Sequence, residues 1–206
     1  MSKTTTTTEK TTGLNLLRNP IARPTTVKMM YLWVAVNMIY YAFALGDLEG
    51  SLIVNNLING VCEIVPIVLL ASIVDQKWFM RSKFLAILLI LTSIAALSCS
   101  VCFEISAETG DMSEILGRLM AFVGRACVSA AFALVYVFAC EVFPTNVRSS
   151  GVGMCSMAGR VGAIIAPQIA KLGLAPISIG WLPGVIFTVV GIAGALIRYT
   201  VNSSHL

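Results

Sequence analysis

Six apolar runs separated by short polar breaks make up most of the chain, at residues 29–46, 52–74, 84–103, 115–140, 151–171 and 177–197. Each approaches or exceeds the ~20 residues of helix that cross the hydrocarbon of a bilayer. Backbone that faces lipid has to satisfy its own hydrogen bonds, and a helix does so within one segment. The pattern predicts an all-α membrane protein with six transmembrane helices. Residues 1–26, opening "MSKTTTTTEKTTG", are Thr-rich and polar and read as a disordered cytoplasmic tail. They carry no apolar stretch of the kind that follows the start of a signal peptide. Residues 27–198 form the six-helix domain and 199–206 a short second cytoplasmic tail.

Composition agrees: 57% of the 206 residues are hydrophobic and 12% charged, where soluble domains carry about a quarter charged. The net charge of +4 matters through its distribution. Lys3, Lys10, Arg18, Arg23 and Lys28 precede the first run, Lys77, Arg81 and Lys83 lie in the second break, Arg148 in the fourth, and Arg198 ends the last run. The intervening breaks are acidic, with Asp47 and Glu49 in one and Glu104, Glu108, Asp111 and Glu114 in the other. The positive-inside bias then puts both termini in the cytoplasm, in agreement with an even number of crossings. Cations spread over alternate loops describe a topology, and no nucleic-acid partner is expected. The six cysteines all fall in apolar runs, as buried free thiols do, and the single histidine is His205. Cys99 and Cys102 have no second pair or histidine to complete a zinc site. No metal, no cofactor and no enzymatic activity are expected, since no nucleophile–base motif or carboxylate pair appears in the loops.

Ionisable groups inside a membrane cost at least ~2.5 kcal/mol at a helix centre and point to function by default. Glu63, Arg125 and Arg160 each sit roughly 14–16 Å along their helices from the entry face, near the middle of the bilayer. Runs three and six carry no charge, which suggests that the other four line a polar space. One glutamate and two arginines leave an excess cation at the midplane. An ion pair that merely holds the bundle together is the competing reading. In the first run, Asn37 shares a face with Trp33, and Tyr40 or Tyr41 extends it; packing or an interfacial belt is the alternative for the aromatics. Small residues crowd the fifth run, from Gly151 to Ala163, and let helices approach closely. Pro66 and Pro167 should bend their helices.

Three stretches carry a family resemblance: "LLRNPIARPTTVKMMYLWVAVNMIYY", "NGVCEIVPIVLLASIVD" and, most specifically, "GRACVSAAFALVYVFACEVFPTNVRSSGVGMCSMAGRVGAIIAP". From about Leu16 to Ile197 the chain resembles the C-terminal half of the organic cation, anion and carnitine transporters of the major facilitator superfamily. The resemblance implies half of that fold, built as two inverted three-helix repeats, with substrate held near the midplane. It matches Arg125, Arg160 and Glu63 to positions on the family's inner helices, and with Asn37, Tyr40 and Tyr41 of the first run they are the candidate substrate-binding residues. At the Arg160 position the family tends to be acidic in cation carriers and basic in anion carriers, so Arg160 favours an anion or zwitterion. Around the Pro144 turn, Glu141 and Arg148 can pair with each other or across helix ends. The resemblance makes them, with Asp75, part of the inward gate. "DQKWFMRSK" keeps Asp75 but lacks the arginines and glycine usual in that loop.

The function expected is transmembrane transport of small organic ions by alternating access, as a multi-pass protein of the plasma membrane. Six helices supply one wall of a two-walled carrier, so the expected partners are a second six-helix half or a second copy of the chain, besides substrate and bilayer. The alternative is a non-transporting truncated or regulatory membrane subunit.

Overall fold

A computed structural model of the chain describes residues 17–18, 20, 22–44, 52–74, 76, 80–109, 111–172 and 182–203. They form six helices, α1 (Arg23–Ala44), α2 (Leu52–Ile73), α3 (Arg81–Thr109), α4 (Asp111–Val142), α5 (Arg148–Leu172) and α6 (Leu182–Ser203), with no strand among the described residues. Five are long and apolar enough to cross a membrane, and the sixth has an apolar segment at Gly184–Ile197.

The helices outrun the apolar runs at several ends, because polar residues extend a helix past the hydrocarbon. α1 starts at Arg23, ahead of the boundary read at 27, and α6 continues to Ser203, past 198. Pro24 falls in the first turn of α1, where its missing N–H costs nothing. Thr26 fixes that turn, its Oγ1 donating to the Ala22 carbonyl at 2.9 Å. At the other tight connection, Val147 N–H donates to the Pro144 carbonyl at 3.1 Å and Gly151 N–H to Val147 at 2.9 Å, which launches α5 directly from the turn. Residues 177–181 of the sixth run lie outside the described residues.

The packing has an internal symmetry. α1 packs on α5 and α2 on α4; α3 packs on α4 and α1 on α6; α3 also meets α6, and α1 meets α4. Exchanging the first three helices with the last three turns each of the first four pairings into another of the four and leaves the last two unchanged; only the lighter contacts of α5 with α4 and α6 lack an equal counterpart. Three crossings reverse the chain's direction, so the halves are related about an axis in the membrane plane, as in inverted-repeat transporters. The core lies between α1, α3 and α4, with Leu32, Trp33 and Val36 against Leu85, Leu89, Leu134 and Val135. Small residues bring the other neighbours in. A Cβ on Gly162 of α5 would strike the Val34 carbonyl of α1, and Gly191 of α6 sits against Ser93 of α3. Thr188 Oγ1 donates across the same seam to the Ser93 carbonyl at 3.0 Å.

Absence of charge in the third and sixth apolar runs suggests an outer pair, yet within this unit α3 and α6, which carry those runs, are covered by α1, α4 and each other. The bare helices are α2 and α5. Only 6% of the α2 span and 22% of the α5 span is buried, against 44% for α1 and α3 and 50% for α4. A charge census reports which helices avoid ions; it does not report which have neighbours.

Candidate ion-binding site

The midplane charges expected from the sequence are brought together in part. Glu63 of α2 and Arg125 of α4 form an ion pair, Arg125 Nη2 lying 3.4 Å from Glu63 Oε2. The hydroxyl of Tyr40 on α1 donates to the other carboxylate oxygen, Glu63 Oε1. The Arg125 guanidinium also lies over the Tyr40 ring, 5.6 Å from its centroid, within reach of a cation–π attraction. Three helices thus converge on one carboxylate, near the middle of α2 and of α4.

Arg125 is only 8% exposed, and its Nε and Nη1 are buried without a hydrogen-bond partner. Its charge is therefore only partly compensated: one nitrogen faces Glu63 and two have nothing. Ser129 Oγ, one turn further along α4, and Trp33 Nε1 are also buried and unpartnered. Buried polar atoms of this kind cost free energy unless something meets them.

Below the pair runs an aromatic wall shared by α1 and α4. Tyr40 stacks on Phe132 with centroids 5.0 Å apart, Phe132 meets Tyr136 edge-on at 5.5 Å, and Tyr136 meets Trp33 at 4.4 Å. Ser129, Phe132 and Tyr136 were not singled out by sequence reasoning. The signal was there: from Arg125 they follow at i+4, i+7 and i+11, a single helical face.

The remaining candidates divide. Tyr41 is exposed and touches Tyr40 edge-on at 5.5 Å. Asn37 is buried, but its Nδ2 donates to the Trp33 carbonyl of its own helix at 2.9 Å. It also packs on Gly159, where a Cβ would come within 2.6 Å of that nitrogen. Asn37 belongs to the α1–α5 contact and not to the Glu63–Arg125 cluster. Arg160 follows Gly159, and Asn37 is three residues from Tyr40, so Arg160 lies within roughly 5 Å of the level of Tyr40 along the helix axis. Its side chain is exposed, and the carboxylate of Glu63 goes to Arg125 instead.

At one end of the bundle, Glu141 of α4 pairs with Arg81 at the start of α3, across helix ends and not with Arg148. Arg81 Nε and Nη2 also lie 3.4 Å from the Val74 carbonyl that closes α2, and Arg148 Nε donates to the Phe143 carbonyl at 3.4 Å. Arg81 is the better partner because it sits on a neighbouring helix end, whereas the tight Pro144 turn directs Arg148 at backbone. Asp75 lies outside the described residues. Among the described residues, no group of three or more His, Cys, Asp or Glu could hold a metal ion.

Relatives of the chain are membrane transporters. It is 32% identical over 189 residues to solute carrier family 22 member 15 of Xenopus tropicalis, which covers 89% of this chain and 34% of that protein. The chain is a homologue of the solute carrier family 22 organic ion transporters. A human organic cation/carnitine transporter 2 is 33% identical over 78% of the chain and 28% of its own length. An organic cation transporter protein of Drosophila melanogaster is 30% identical over 79% and 28% respectively. The chain spans about a third of the length of these solute carrier relatives, consistent with the C-terminal half of a major facilitator transporter. No protein-family model matches it. Its apolar helices and its relatives make it an integral, multi-pass membrane protein.

Proposed function

We propose that this six-helix unit is one half of a carrier that moves small organic ions across the membrane by alternating access, preferring an anion or zwitterion to a cation. The observation that carries the reading is Arg125, a buried guanidinium near mid-span with two nitrogens unmet beside a carboxylate already held by Tyr40. A substrate carboxylate would satisfy those donors without breaking the Glu63 pair. A substrate cation would have Glu63 and the Tyr40 ring to approach. Arg160, exposed at a similar depth, adds a second positive charge to the open side, and Tyr41 lies next to Tyr40. Asn37 acts by holding α5, and so Arg160, at its level on α1.

The second wall comes from another six-helix half or another copy of the chain, seated on bare α2 and α5. Glu141 and Arg148, with Arg81, close the cytoplasmic end in the inward-closed state, and Asp75 belongs to the same gate. Both termini lie on that side, at the plasma membrane.

Uptake into liposomes tests the reading. The chain is reconstituted alone and with the N-terminal half of a solute carrier family 22 relative, then offered organic anions, zwitterions and cations. Uptake should favour the first two, Arg125→Ala should abolish it, and Arg160→Asp should shift preference toward cations. No uptake in either setting refutes transport by this chain. The alternative is a non-transporting truncated or regulatory membrane subunit. It predicts no uptake together with co-purification of a full-length carrier.

A further inference from the structure

Away from the ion pair, an open cavity of about 270 Å³ lies between α2, α3 and α4, and its lining is apolar. Pro66 and Ile73 of α2 form one side, Phe84 and Leu88 of α3 the other, and Cys127 and Ala130 of α4 the floor. It arises because α2 leans on α4 and leaves α3 uncovered beside it, while small α4 residues leave the space between unfilled. Pro66 to Ile73 is seven residues, so the groove runs roughly 10 Å along the helix axis. All three helices are long and apolar enough to cross a membrane, and in a bilayer the groove would open into hydrocarbon. Water has no polar partners there, and an apolar cavity of this kind stays dry. Left empty, its walls lose their dispersion contacts. A hydrocarbon chain meets both conditions.

The groove reaches Ile73 and Phe84, where α2 ends and α3 begins. Lys83 is exposed immediately beside Phe84, and Arg81, whose charge is shared with Glu141, stands at the same helix end. Basic side chains at the membrane surface next to a gap between spanning helices attract anionic headgroups. We propose that the groove holds one acyl chain of an anionic phospholipid, with the headgroup at Lys83. This site is separate from the Glu63–Arg125 cluster and does not depend on what the protein transports.

Cys127 on the groove floor is a built-in reporter. With Cys62, Cys99, Cys102, Cys140 and Cys155 replaced by alanine, its reaction with N-ethylmaleimide is followed in nanodiscs of phosphatidylcholine alone or mixed with phosphatidylglycerol. Labelling should be about fivefold slower in the mixed discs, the effect expected of one basic side chain at an anionic surface. Lys83→Glu should remove the difference, and Leu88→Trp, which fills the groove, should slow labelling in both lipids. Equal rates in the two lipids, or a difference that survives Lys83→Glu, overturn the proposal. Because replacing five cysteines can unsettle the fold, native mass spectrometry of the unmodified chain gives a second readout. It should retain one phosphatidylglycerol after detergent stripping, and loss of that lipid as readily as of phosphatidylcholine also overturns it.

Discussion

Glu63 and Arg125 depend on each other for stability as well as for any role in binding. Removing one partner of a buried pair strands the other, which typically costs 3–5 kcal/mol. The Glu63 side chain is 35% exposed and the Arg125 side chain 10%, so solvent softens the penalty here to about 1–3 kcal/mol. Glu63→Gln should therefore lower the thermal midpoint of the purified protein, and Arg125→Met should lower it by a similar amount. The double variant should recover most of the loss, because no charge is left unpaired. If the two losses simply add, the 3.4 Å pair contributes nothing to stability. That Glu63 could pair with an arginine was legible from their shared depth, but Arg125 and Arg160 were equal candidates, and the choice of Arg125 depends on α2 lying against α4. The direction in which Asn37 points was not legible. Its depth suits the site, but which face of α1 meets α5 is decided by Gly159 and Gly162, and no property of α1 alone reveals that.

The α1–α5 contact depends on two glycines, and its sensitivity is position by position. A Cβ on Gly162 would meet the Val34 carbonyl and lie 3.2 Å from the Met38 nitrogen, both backbone atoms that cannot swing aside. Gly162→Leu should then force the helices apart and cost about 1–3 kcal/mol. On the same helix, Gly153 has nothing within 4 Å of its Cβ position. Gly153→Ala should be neutral or stabilising by up to about 1 kcal/mol, the usual gain of alanine over glycine in a helix. Thermal unfolding of both variants in one detergent checks the contrast, and equal effects would mean that α5 does not pack on α1 through this face. At the bundle's end the same reasoning applies to charge. Arg81→Glu or Glu141→Arg should each destabilise by about 1 kcal/mol or less, given a partly exposed pair, and the swapped double variant should restore the loss. The sequence gives Arg81 away only as one of several loop cations. That its partner is Glu141 depends on α3 and α4 lying side by side, which hydropathy does not report.

For the molecule as a whole, the inverted symmetry of the helix pairings makes α2 and α5 equivalent, and both are bare. Hydropathy could not have predicted this, because lipid and a protein core are equally apolar surroundings for a spanning helix. Two symmetry-related helices left open in the same way mark one shared face, whereas exposure to lipid alone would leave unrelated helices open. Ile64 on α2 and Ile164 on α5 are exposed, as are Ile87 on α3 and Ile192 on α6. In a background without the native cysteines, Ile64→Cys and Ile164→Cys should form intermolecular cross-links in proteoliposomes, with a second copy or with a co-expressed partner half. Ile87→Cys and Ile192→Cys should not. Cross-linking at all four positions alike would indicate random collision in the bilayer, and α2 and α5 would then face lipid as the other helices do. A second wall made by another six-helix half requires the selective result. The glycine variants sharpen the test: Gly162→Leu displaces α5 from α1 and should weaken the Ile164 cross-link while sparing the one at Ile64.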